Sequence, residues 1–307
     1  ANGMNAIRIL VNELSVTLPI EQFGGDTVFS VTQSDESLLE QGINKTLASA
    51  VYQFGITVNG QTVEEFDSPI ELRIPLADAA GLDQELLALA RIDGDELVIV
   101  GHRLEGNFLV AKRDSFSYYA VIENKVTFND LDKVRSWAGR QIEVIGAKGI
   151  VQGKREGYYY PQDKVTRAEF AKMLVRALEL ENRKAKAGFI DVKQDSWAAP
   201  FVAAAAEAGI IQGVGGNRFQ PDAAITRAEM ATMIARALKL TGGLQDPADI
   251  DQILSAFDDS GSIHPTLREG VALAANEGIV VGFNGKFRPN DNATRAEAAV
   301  MIYRLLQ

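Results

Sequence analysis

The sequence predicts an α+β multi-domain protein: an N-terminal antiparallel β-sandwich followed by a mainly α, pseudo-threefold bundle of three helix–loop–helix repeats. Three observations carry this. The first half alternates apolar and polar residues in short runs between turn signals. The second half repeats one pattern three times. The charge changes between them: residues 1–123 hold 7 Lys and Arg against 19 Asp and Glu, whereas the remainder holds 24 against 22. A shift of that size supports a boundary near residue 123, with domains 1–123 and 124–307. At 307 residues, 46% hydrophobic and 23% charged, each part can bury its own core.

The strands come first. Ser49–Val58 alternates, with Tyr52, Phe54, Ile56 and Val58 on one face, and Asn59-Gly60 after it is a hairpin turn signal. Ile70–Leu76 alternates as well. Leu89–Ile92, Asp93-Gly94-Asp95 and Glu96–Val100 read as a second hairpin, and the segment from Arg103 to Phe108 turns into Leu109–Lys112. Tyr118–Ile122 closes the series. Many short strands with regular turns point to an antiparallel sandwich. The carboxylates fall in turns and at alternate strand positions, as on a solvated face, and nothing marks out two of them as a glycosidase acid–base pair.

The repeats follow. The first runs Phe128, Asp130, Ser136-Trp137, Gly149-Ile150, Gly153, Pro161 and Thr166-Arg167-Ala168-Glu169. The second runs Phe189, Asp191, Ser196-Trp197, Gly209-Ile210, Gly213, Pro221 and Thr226-Arg227-Ala228-Glu229. The third runs Phe257, Asp259, Gly278-Ile279, Gly282, Pro289 and Thr294-Arg295-Ala296-Glu297. The repeats span about 126–180, 187–241 and 255–307, with a linker over 242–254. Within each, a first helix (Ser136–Lys148, Ser196–Ala208, about Pro265–Glu277) stops at glycine. A glycine-bearing loop follows. A second helix starts at Thr-Arg-Ala-Glu, where threonine and the glutamate three residues on form a capping box. Its apolar stripe is Phe170, Met173, Leu174 and Ala177, then Met230, Met233, Ile234 and Ala237, then Ala298, Met301, Ile302 and Leu305. One such unit is too small to cover that stripe; three packed together can.

This threefold pattern resembles the S-layer homology domain, over about 180 residues from Val126 to Gln307. The resemblance implies a three-pronged module that binds secondary cell-wall polysaccharide, often through pyruvylated N-acetylmannosamine, at the bacterial surface. It implies non-covalent anchoring, no enzymatic activity, no metal and no cofactor. The acidic first half is similar to sandwich modules that precede such repeats. A structural S-layer subunit, or the anchoring end of a larger surface polysaccharide hydrolase, is the alternative. Peptidoglycan and self-association in a surface layer stay open as partners; nucleic acid and membrane insertion do not fit.

The residue chemistry agrees with that reading. Arg167, Arg227 and Arg295 follow a helix cap, near the positive end of the helix dipole, and a guanidinium can bind a carboxylate through two hydrogen bonds. Trp137 and Trp197 offer flat faces for sugar C–H groups. Gly153, Gly213 and Gly282 allow close backbone approach. Asp130, Asp191 and Asp259 could accept hydrogen bonds from hydroxyls or orient the arginines. Each has a structural alternative: arginines paired with carboxylates, tryptophans as core anchors, glycines required by turns, and aspartates holding loops. Thr266 stands where the third repeat should carry tryptophan, and Lys154–Tyr160 makes a bulky loop in the first repeat, so the three grooves should be unequal.

Composition excludes several chemistries. There is no cysteine, hence no disulfide, thiolate site or cysteine nucleophile, and two histidines (His102, His264) make a multi-histidine site unlike this chain. Asp258–Ser262 lacks the spacing and closing glutamate of an EF-hand. No apolar run reaches the ~18 residues of a membrane span. Ala1 opens the chain without a signal-peptide pattern, which fits a mature form, an excised fragment or a cytoplasmic protein.

Overall fold

The computed structural model describes residues 6–34, 45–77, 79–93, 96–182 and 184–307. Two compact units emerge, one of Ala1–Val126 with Gly146–Gly149 and one of Thr127–Ile145 with Ile150–Gln307.

The first unit is built of antiparallel sheets. Its strands are β1 (Ala6–Val11), β2 (Leu14–Pro19), β3 (Thr27–Ser34), β4 (Thr46–Leu47), β5 (Val51–Val58) and β6 (Gln61–Thr62). They continue with β7 (Glu65–Pro75), β8 (Leu87–Asp93), β9 (Glu96–Val100), β10 (Arg103–Glu105), β11 (Phe108–Ser115) and β12 (Tyr118–Glu123). One sheet has the order β1-β2-β7-β11-β10. The other has β3-β5-β12-β8-β9, with β4 beside β12 and β6 beside β5. Leu14, Val16, Leu18, Phe54, Ile56, Ile70, Leu72, Ile74, Leu89, Leu109, Tyr119 and Val121 fill one apolar core. Alternate residues of β2 and β7 enter that core, as the two-residue period of a strand demands.

The predicted hairpin turn is present: Asn59 and Gly60 are both left-handed (φ 50 and 79) and Val58 faces Gln61. Such a pair of positive φ values suits the twist of flanking strands. β8 and β9 pair through Asp93 and Glu96; the Gly94 and Asp95 of the predicted turn lie outside the described residues. The structure adds β1, β2 and β3, which alternation alone did not reveal. Val11 faces Leu14 across Asn12-Glu13, with Asn12 at φ 53. Asparagine takes the place of the glycine that would have flagged the turn.

The second unit is helical: α1 (Arg140–Ala147), α2 (Arg167–Ala177), α3 (Ala199–Glu207), α4 (Arg227–Gly242), α5 (Ile250–Leu254), α6 (Arg268–Asn276) and α7 (Arg295–Leu305). Two first helices begin irregularly. A π-helical turn, Arg135–Gly139, leads into α1, and a 3-10 turn, Pro265–Leu267, leads into α6. The stretch between the second and third repeats is more ordered than a plain linker, because α4 runs on to Gly242 and α5 lies inside it. Phe170, Met173, Leu174, Met230, Met233, Ile234, Ala237, Ala298, Met301 and Ile302 are buried, whereas Ala177 and Leu305, at helix ends, are half-buried.

A ring of backbone hydrogen bonds joins the repeats. Val165 N–H donates to Ala293 O (3.1 Å), Ile225 N–H to Val165 O (3.1 Å) and Ala293 N–H to Ile225 O (2.9 Å). Each residue directly precedes its Thr-Arg-Ala-Glu motif. The three second helices therefore start around one pseudo-threefold axis, and the third repeat closes back on the first.

Candidate functional site

The Thr-Arg-Ala-Glu motif builds both the axis and what lies beside it. Thr166, Thr226 and Thr294 each accept the N–H of the glutamate three residues on, and that glutamate accepts the threonine N–H, completing a capping box in all three repeats. The next amides are also occupied. Arg167, Arg227 and Arg295 N–H donate to Ala223, Asp291 and Asp163 O, and Ala168, Ala228 and Ala296 N–H donate to Pro221, Pro289 and Pro161 O. These amides are therefore not open to an anion beside the arginines: the neighbouring repeat's loop has taken them.

The arginine side chains reach the same neighbour. Arg167 donates from Nε to Phe219 O (2.8 Å) and from Nη1 to Glu229 Oε1 (2.6 Å). Arg227 does the same to Phe287 O (2.8 Å) and Glu297 Oε1 (2.6 Å). Arg295 donates from Nε to Tyr159 O (3.0 Å), but its Nη1 stands 3.8 Å from Glu169 Oε1. That last separation is an ion pair without a hydrogen bond. Each glutamate thus closes its own cap with one oxygen and faces the preceding repeat's arginine with the other. Burial lowers the Arg167 pKa from its ordinary value, and the Glu229 carboxylate opposes this.

Beside each arginine opens a groove. The first, of about 210 Å³, is lined by Arg295, Gly153, Lys154, Glu169, Lys172, Met173, Arg176 and Trp197. The second, of about 270 Å³, is lined by Arg167, Gly213, Glu229, Thr232, Met233, Arg236 and Thr266. The third, of about 490 Å³, is lined by Arg227, Gly282, Phe283, Arg288, Glu297, Met301, Arg304 and Trp137. These are equivalent positions around the axis. Each groove takes its motif arginine from one repeat, its loop glycine and second helix from the next, and its tryptophan or Thr266 from the one after.

The predicted residues fall into different roles. Trp137 and Trp197 keep 46% and 53% of their surface exposed, so they face solvent in the third and first grooves. Gly153, Gly213 and Gly282 line the grooves, and packing dictates their lack of a side chain. A Cβ on Gly213 would lie 2.7 Å from Arg218 O and 3.0 Å from the Phe189 ring. Asp130, Asp191 and Asp259 line none of the three grooves. Their carboxylates accept two adjacent loop N–H groups, Tyr159 and Tyr160 for Asp130, Phe219 and Gln220 for Asp191, and Phe287 and Arg288 for Asp259. Burial opposes ionisation of Asp191 and Asp259, yet these donors hold both below the usual carboxylate range.

S-layer homology domains are matched at residues 127–171, 188–231 and 256–299. The chain carries three S-layer homology domains. An amylopullulanase of Thermoanaerobacterium thermosulfurigenes is 42% identical over 193 residues, covering 62% of this chain and 10% of that protein. Exoglucanase XynX of Acetivibrio thermocellus is 33% identical over 289 residues, 94% of this chain and 25% of that protein. A surface-layer 125 kDa protein of Lysinibacillus sphaericus is 31% identical over 190 residues, 61% of this chain and 15% of that protein. The chain thus spans a quarter or less of these three relatives. The likeness to XynX runs over most of both units.

S-layer homology domains anchor surface proteins to the cell wall, which places this chain at the bacterial cell surface. Among the described residues, no helix is long and apolar enough to cross a membrane. Sequence reasoning missed the outer rim of the S-layer homology grooves. Arg176, Arg236 and Arg304 each follow the motif arginine by the same interval and line the three grooves. That recurrence was visible in the sequence. Lys172 was not marked by repetition, because Thr232 and Val300 occupy its place in the other repeats.

Proposed function

We propose that this chain anchors a larger surface protein non-covalently by binding an anionic secondary wall polysaccharide, with a pyruvylated N-acetylmannosamine unit as the recognised sugar. The observation that carries the reading is the lining of the grooves: cationic side chains outnumber the single carboxylate in each, and a half-exposed tryptophan stands beside them in two of the three. A pyruvyl ketal presents a carboxylate on a sugar ring. Guanidinium and ammonium groups suit the acid, and an indole face suits the ring's C–H surface.

The grooves are unequal. The groove of Arg295 holds Lys154, Lys172 and Arg176 as further cations and includes Trp197. Its arginine lacks the short glutamate contact of the other two and donates from Nη2 to Gln152 O at 2.9 Å. The groove of Arg167 has Thr266 in place of an indole. The first should bind best and the second worst. Peptidoglycan is the second reading, since a cell wall amidase of Bacillus anthracis is 35% identical over 182 residues.

The chain's 2 tryptophans both line grooves. Titrating the full chain with polysaccharide released from purified sacculi should shift tryptophan emission to the blue with saturation. Removing the acidic ketals from that polymer by mild acid should abolish the shift. An unchanged shift after ketal removal would refute recognition of the acid.

A further inference from the structure

We infer that the first repeat carries a second saccharide subsite, next to the groove of Arg295, for an anionic sugar further along the same polymer. The inference rests on the wall-polysaccharide reading of the grooves.

A separate cavity of about 530 Å³ is lined by Lys133, Arg155, Tyr158 and Tyr160 and by three carboxylates that already have partners: Asp130 with the Tyr159 and Tyr160 N–H groups, Asp132 with Arg135, and Asp163 with Lys154. Its floor is aromatic. The Tyr158 and Tyr160 rings lie 6.4 Å apart at 50°, and Tyr158 is 42% exposed. The Arg155 guanidinium stands 5.9 Å from one ring centroid and 5.5 Å from the other. Among the described residues no carboxylate pairs with it. A cation held by two rings keeps its hydrogen-bonding edge for an outside acid. The exposed tyrosine face offers a sugar its stacking surface.

Position gives this cavity its meaning. Lys154 lines the groove of Arg295, Asp163 lines the tyrosine cavity, and the two form an ion pair at 2.8 Å. The pair is the divide between the two hollows. A polymer chain leaving the groove across that divide meets Arg155 and the rings.

The feature belongs to the first repeat alone. The second repeat has Arg218 and Gln220 at the tyrosine positions, and the third has Lys286 and Arg288. Tyr160, Gln220 and Arg288 share a left-handed backbone (φ 61, 57 and 59), so the loop conformation comes from the repeat and the paired rings are an addition to it. Of the bulky Lys154–Tyr160 loop, only Lys154 lines the neighbouring groove. Its rings line a hollow of their own.

The test compares single-unit and oligomeric fragments of the released polysaccharide, size-fractionated, by calorimetry on the full chain. The Tyr158→Ser/Tyr160→Gln variant keeps a residue already tolerated on the left-handed backbone of the second repeat. It should bind the oligomer about tenfold more weakly and the single unit as before, because only the oligomer spans both hollows. Arg155→Gln should do the same without touching the rings. Oligomer affinity unchanged in both variants, their circular dichroism matching the parent's, would overturn the subsite. So would a parent that binds oligomer and single unit equally. A parent that binds neither would bring down the groove reading itself, a different result from loss of the oligomer advantage alone.

Discussion

Replacing Arg227 with alanine should lower the melting temperature of the helical unit by roughly 10 °C. The Arg227 side chain is 12% exposed and ties the second repeat to the third through Glu297 Oε1 and Phe287 O. Removing one partner of such a pair leaves an uncompensated carboxylate and an orphaned carbonyl, which costs about 3–5 kcal/mol. In a domain of this size each kcal/mol shifts the midpoint by roughly 2–4 °C. Arg227→Lys should fall between, because an ammonium can face Glu297 but cannot also match the fork geometry of the guanidinium. Thermal melts followed by tryptophan emission read this directly. A shift below about 3 °C for the alanine variant would show that the inter-repeat tie contributes little. The prediction also reassigns the motif arginines. Their first task is to hold one repeat to the next, so a loss of polymer binding in an arginine variant is informative only when its fold is intact.

Lys172→Glu should weaken binding of the ketal-bearing polysaccharide by about ten- to a hundredfold while leaving the melting temperature nearly unchanged. Lys172 sits in the groove of Arg295, with its ammonium 5.5 Å from the Trp197 ring centroid. Burial lowers its pKa, with the nearby Arg176 charge acting in the same direction. A partly desolvated ammonium gains more from an incoming carboxylate than an exposed one does. Hydrogen bonds to charged groups contribute about 1.5–3 kcal/mol, and reversal of the charge turns that attraction into repulsion. Calorimetry with single-unit fragments removes the avidity by which the other two grooves would mask the loss. Full affinity in the folded variant would move the principal site to another groove, with that of Trp137 next in line.

Local signals carried much of this fold. The Thr-x-x-Glu spacing predicted three capping boxes because a cap needs only four consecutive residues. The Asn59-Gly60 turn was legible for the same reason. What escaped depends on distance along the chain or on unusual local geometry. Nothing near Arg295 announces that it closes the ring on Glu169 and Tyr159 in the first repeat. The first hairpin hid behind Asn12-Glu13, a turn without glycine or proline. The π-helical turn that carries Trp137 has no pattern of its own in the residues.

The candidate site shows the same division. Residue types were readable, and their roles needed contacts. An aspartate before a helix and a glycine in a loop read equally well as ligand contacts or as loop supports. The hydrogen bonds of Asp130, Asp191 and Asp259 and the close packing around Gly213 favour support. The tryptophans read as core or as surface, and their exposure speaks for surface.

The most direct test is co-sedimentation of the full chain with purified cell-wall sacculi before and after chemical removal of the secondary polymer. Pelleting with intact sacculi and release from stripped ones is the predicted result. Equal pelleting with both would make peptidoglycan the anchor point and contradict recognition of the secondary polymer by the grooves.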